Sequence, residues 1–113
     1  MQSPMADRII EQLTPQEPGW IALASILELV WVLNRQNRVR RAAMANMLMQ
    51  LLTREEIVVE QAGLVQRALL QFQNSKADFA DCLIAASAKA AGCSRTVTFD
   101  RDAARDAGME LIG

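Results

Sequence analysis

Five carboxylates occupy the positions at which this chain could do chemistry. Asp78 and Asp81 stand three residues apart at the head of an apolar stretch, Phe79 to Ala91, so on one helix they share a face. Asp100 follows Thr96-Val97-Thr98-Phe99, and Asp102 lies two residues on. Glu28 is the only charged residue between Gly19 and Asn34. There is no histidine, which removes imidazole acid–base catalysis, serine–histidine–aspartate triads and histidine-ligated zinc. Carboxylate oxygens without imidazole or a thiolate pair suit hard cations such as Mg²⁺ or Mn²⁺.

Each acid also has a plainer reading. Asp78 is placed to cap the helix that begins after it. Asp81 could be a favourable first-turn anion, although the uncharged run Cys82 to Ala88 behind it suggests a helix entering the core with Asp81 at its rim. Asp100 suits either a ligand-binding position at the carboxyl end of a parallel strand or the cap of the segment 101–106. Asp102 reads as a solvated acid or a support for Asp100. Burying an unpaired carboxylate costs several kcal/mol. Glu28 is therefore expected to pair with an arginine of the 38–41 cluster, to bind a metal, or to face a cleft. Clustered carboxylates holding divalent ions are how many nucleases activate water for phosphodiester cleavage. Neither GxxxxGK nor GxGxxG is present to suggest a phosphate loop.

The elements that must position these acids can be read from hydrophobic spacing and breakers. A helix is predicted over Met5 to Leu13, with Met5, Ile9, Ile10 and Leu13 on one face, ended by Pro15, Pro18 and Gly19. Trp20 to Leu23 reads as a buried strand, and Ser25 to Arg35 as a helix apolar almost all round. After a polar break at Asn34 to Asn37, Val39 to Leu52 is helical, with Ala43, Met47, Leu48 and Leu51 inward. Arg38, Arg40 and Arg41 near its start oppose the helix dipole unless they serve another purpose. Ile57 to Val59 is a strand. The next helix carries Leu64, Val65, Ala68, Leu69 and Phe72 inward. Asp78 opens the helix that ends at Gly92, a favoured C′ residue. Thr96 to Phe99 and Met109 to Ile112 are strands flanking a short helical turn at 101–106. Strands alternating with helices imply an α/β fold, a parallel sheet of short strands covered by helices on both faces.

The 113 residues suit a single domain, 1–113, with 12 basic and 13 acidic side chains. Near-neutral charge offers no global attraction to nucleic acid or an anionic membrane. No apolar run reaches the ~18 residues of a membrane span. Cys82 and Cys93 are not in a CxxC arrangement, which points to a reducing cytoplasm and to thiols acting as small buried hydrophobes.

The run Ala77-Asp78-Phe79-Ala80-Asp81-Cys82-Leu83-Ile84-Ala85, with Gly92 and Thr98-Phe99-Asp100-Arg101-Asp102 after it, resembles PIN-domain toxin ribonucleases of VapC type. Ile21-Ala22-Leu23 followed by Glu28-Leu29-Val30-Trp31-Val32-Leu33 resembles the family's second acidic motif, and the likeness runs from Gln2 to Ile112. The resemblance implies a Mg²⁺ or Mn²⁺ site at Glu28, Asp81 and Asp100, with Asp78 an accessory acid beside it. It further implies cleavage of RNA, a cognate antitoxin, and a homodimer. The family opens with an apolar strand ending in Asp-Thr/Ser-Asn, central to the sheet and carrying the first metal ligand. The first residues here resemble the family's segment beyond that strand, near the start of its first helix, and Asp7 falls inside the helix. The chain thus resembles a PIN domain lacking its first strand, through a downstream start or truncation. Weak metal binding and cleavage are then expected, with the gap closed by rearrangement or by segments exchanged between subunits. The alternative is an inactive PIN-like interaction or dimerisation module.

Overall fold

Ten elements alternate along the chain in the computed structural model, which describes residues 4–34, 39–106 and 108–113, with side chains from residue 8 onward. They are α1 (Pro4–Gln12), β1 (Gly19–Ile21), α2 (Leu23–Val32), α3 (Arg41–Thr53), β2 (Ile57–Val59), α4 (Ala62–Gln73), α5 (Phe79–Ala90), β3 (Val97–Thr98), α6 (Arg101–Asp106) and β4 (Glu110–Leu111). Order and type match the pattern read from spacing. Arg38, positions 35–37 of the expected polar break and the side chain of Met5 lie outside the described residues.

The core is built on α4 and α5, with α3 packed on α4. Leu64, Val65, Ala68, Leu69 and Phe72 of α4 are all buried, as their spacing predicts. They meet Phe79, Cys82 and Leu83 of α5, Met44, Ala45 and Leu48 of α3, and Ile26 and Val30 of α2. The Phe72 and Phe79 rings meet edge to face, centroids 5.9 Å apart. This geometry adds quadrupole attraction to area burial. Gly92 ends α5 with φ of 79°, its N–H donating to Lys89 O (3.0 Å) while Cys93 N–H donates to Ala88 O (3.0 Å). Those two bonds satisfy carbonyls that a helix end leaves open.

Several expectations are corrected. The strands do not form one sheet: among the described residues β1 pairs with β2 and β3 with β4, each pair parallel and separate. With two or three residues per strand, neither pair extends to the other. Among the described residues one face of the β1–β2 pair is also left open. Trp20 and Val58 are register partners and both point outward, Trp20 being 63% exposed, whereas Val59 on the opposite face is buried. In α3 the buried positions are Met44, Ala45 and Leu48, with Met47 and Leu51 half-buried against them, and Ala43 is exposed. The last correction concerns Leu23, which opens α2 instead of ending β1. The cause is Glu60, whose Oε1 accepts the Leu23 N–H at 2.7 Å. Ala22 occupies the cap position and has no side chain able to do this, so a carboxylate from beyond β2 caps α2 across the fold. Glu60→Ala is expected to cost about 1–2 kcal/mol, with Glu60→Gln losing less because it keeps an acceptor. Urea unfolding of the two variants checks this.

Candidate active site

Among the described residues Asp81 is the buried charged side chain. It lies in the first turn of α5 and is only 9% exposed, flanked by the buried Phe79, Cys82 and Leu83. Because these three pack inward, the helix carries Asp81 in with them to the rim of the core. Among the described residues no cation or hydrogen-bond donor pairs with its carboxylate. Burial is the first cause that pushes Asp81 up to about 6 from an ordinary 3.8, followed by the charges of Asp78, Asp100, Asp102 and Asp106. Desolvation and like charge act in the same direction, since both disfavour the ionised form.

The other acids are placed differently. Asp78 occupies the cap position of α5, with φ −68° and ψ 148°, but its side chain accepts no helix N–H. The capping reading holds for its backbone and not for its carboxylate, which is exposed and close enough to repel Asp81. Asp100 does cap: its Oδ1 accepts the Asp102 N–H at 2.8 Å, while the Asp100 N–H donates to Thr98 Oγ1 at 3.0 Å. That leaves its second oxygen unspent on the turn. Asp102 accepts a hydrogen bond from Arg105 at 3.0 Å, and Asp106 accepts from the same guanidinium at 3.1 Å. Arg105 holds the Asp106 carboxyl below the usual range, with a smaller contribution from Lys76.

Asp106 was missed by sequence reasoning. The available signal was its spacing, four residues after Asp102 on one face of α6. One strand end and two helices thus turn acids toward one region, and Asp81 is the one among them that is buried.

Glu28 contradicts the reasoning that singled it out. It is exposed, on the face of α2 that also carries the exposed Ala24 and Trp31. The helix is apolar all round, but its core contacts run through Ile26, Val30 and Leu33, so Glu28 incurs no burial cost. The charges acting most on Asp81 are those of Asp78, Asp100, Asp102 and Asp106, and Glu28 is not one of them. Nor does it pair with Arg41, whose guanidinium is bound elsewhere. Arg38 lies outside the described residues.

The donor chemistry fits a hard divalent cation: oxygen ligands only, and an excess of negative charge around a buried carboxylate that a cation would relieve. The arrangement is not a closed site. Among the described residues no three His, Cys, Asp or Glu side chains come together closely enough to hold a metal ion. Cys82, buried behind Asp81, is pushed up by burial and is a packing thiol.

The two-motif acid pattern and the short parallel strands define an α/β domain with an acidic site at strand and helix ends. Residues 2–108 match the family model described as PIN domain, and the chain belongs to that family. PIN domains are generally nucleases and typically bind divalent metal ions. No curated protein and no solved structure matches the chain. Among the described residues no helix is long and apolar enough to cross a membrane.

Proposed function

We propose that this chain is a VapC-type toxin endoribonuclease of a toxin–antitoxin pair, acting on RNA in the cytoplasm and partnered by a cognate antitoxin and by a second copy of itself. The observation that carries the reading is the buried Asp81, without a partner among the described residues, amid four other aspartates. An arrangement that raises the energy of a charge has no value to the fold, but it has value to a cation site. Asp81 and Asp100 are the residues that would hold Mg²⁺ or Mn²⁺, with Asp78 and Asp102 accessory; Glu28 joins them by family resemblance alone. When bound, the ion supplies Lewis-acid polarisation of phosphoryl oxygens. The protein's own part is to hold the Asp81 carboxylate among like charges, where burial and repulsion disfavour its ionised form until a cation relieves them. Lys76 acts on Asp106 from beside the cluster and is the cation there that could meet an RNA phosphate.

One observation favours a second reading, an inactive interaction module of the same fold: the described acids do not close into a three-ligand site. Incubating the chain with end-labelled single-stranded RNA and Mn²⁺ separates the two. The nuclease reading predicts internal cleavage, slow in this chain, that disappears in Asp81→Asn and Asp100→Asn. Complete absence of cleavage at millimolar Mn²⁺ supports the interaction module instead, and cleavage that persists in both variants does not come from these acids and overturns the nuclease reading of this site.

A further inference from the structure

Arg41 stands where local electrostatics argues against it. It is the first residue of α3, and a cation at a helix N-terminus opposes the dipole. Its side chain leaves that helix. The guanidinium lies 3.8 Å from the Phe72 ring centroid. Its Nη1 donates to Ala77 O at 2.9 Å, and its Nη2 donates to Phe72 O at 2.5 Å and to Ser75 O at 3.0 Å. The three carbonyls run from the last turn of α4 through the connection to α5. Phe72 O is one of the helix-end acceptors without an intrahelical partner, and Ala77 O is the last carbonyl before Asp78.

We infer that Arg41 is a positioning residue of the acidic site: it fixes the α4–α5 connection so that Asp78 and Asp81 face the acids of α6. The inference rests on the nuclease reading for its functional meaning, but the geometry it predicts stands without it. The connection has little else to define it. Ala77 N–H donates to Ser75 Oγ at 3.2 Å, and Asn74 Nδ2 donates back to Leu70 O at 2.8 Å. Both bonds are local, and the Ser75 side chain also bonds the Cys82 thiol of the adjoining α5, whereas the bonds of Arg41 tie the segment to α3. Ala77 and Phe79, one on each side of Asp78, are fully buried, so a shift of the connection reaches Asp81 within a turn. A lysine could supply charge to one carbonyl. It could not supply the planar fork together with the stack on Phe72.

The test is NMR on labelled protein, comparing the parent with Arg41→Lys and Arg41→Met, and reading side-chain carboxyl ¹³C shifts and amide hydrogen exchange. In both variants the Asp81 carboxyl resonance is expected to move while that of Glu110, paired with Arg95 across β3 and β4, stays. The amide of Cys82, which donates to Asp78 O at 3.0 Å, is expected to exchange about tenfold faster, the equivalent of one or two lost hydrogen bonds, with the amide of Glu60, which donates to Ile21 O at 2.9 Å, unchanged. If the parent cleaves RNA, kcat falls in both variants with KM held, and lysine does not rescue it. A folded Arg41→Lys with parental Asp81 shift and parental exchange overturns the inference, whatever becomes of Arg41→Met. Uniformly faster exchange throughout the chain overturns it too, since that is a general stabilising role. A parent that cuts no RNA counts against the nuclease reading only, and leaves the shift and exchange results to decide this one.

Discussion

Asp81→Asn is expected to make the protein more stable at pH 7, by about 1–2 kcal/mol once solvent screening at the rim is allowed for. The sign comes from linkage. The folded-state value is about 6 and the ordinary value 3.8, so between those limits the native state binds more protons than the unfolded chain. Stability therefore falls as pH rises through this window, and the penalty is complete above it. Below about pH 4 the carboxyl is protonated in both states, and the advantage of asparagine disappears. Denaturant titrations of parent and variant at about pH 3.5, 5 and 7 check the trend. A destabilised variant at pH 7 would show that the Asp81 carboxylate is held by partners, contrary to the structure. Gain of stability together with loss of cleavage is the signature of a residue kept for chemistry at the fold's expense.

Phe79→Ala has the opposite and larger consequence. Phe79 is 0% exposed, meets Phe72 edge to face and lies between Asp78 and Asp81. Removing it costs about 3–5 kcal/mol, from lost burial and the cavity left behind. That is much of the stability of a domain of this size, so thermal unfolding of Phe79→Ala is expected to be shifted far down or lost. Phe99 makes the contrast. It is 84% exposed, and Phe99→Ser is expected to fall within about 0.5 kcal/mol of the parent.

Local pattern carried much of the fold into the sequence. The inward face of α4 was legible because five apolar residues recur at helical spacing with polar residues between them. The end of α5 was legible because Gly92 takes the left-handed conformation that others resist. Sheet organisation was not legible. Strands of two or three residues carry no periodicity that says which pairs join, and the exposed Trp20 and Val58 look like core residues in a list of letters. The site was half legible. Asp81 declared itself by standing before an uncharged helix, but Glu28 misled, because a helix apolar on every side does not reveal which side faces the core. Arg41 carried a usable signal in being the wrong charge for its helix end. What it bound, three backbone carbonyls more than thirty residues away, has no trace in residue types.

If the acids around Asp81 form a divalent-cation site, the ion must stabilise the folded protein through that carboxylate. Thermal unfolding with and without Mn²⁺, in parent and Asp81→Asn, reads this directly. Millimolar Mn²⁺ is expected to raise the melting temperature of the parent and to leave that of Asp81→Asn unmoved. An equal shift in both proteins, or none in the parent, would contradict a cation site at Asp81.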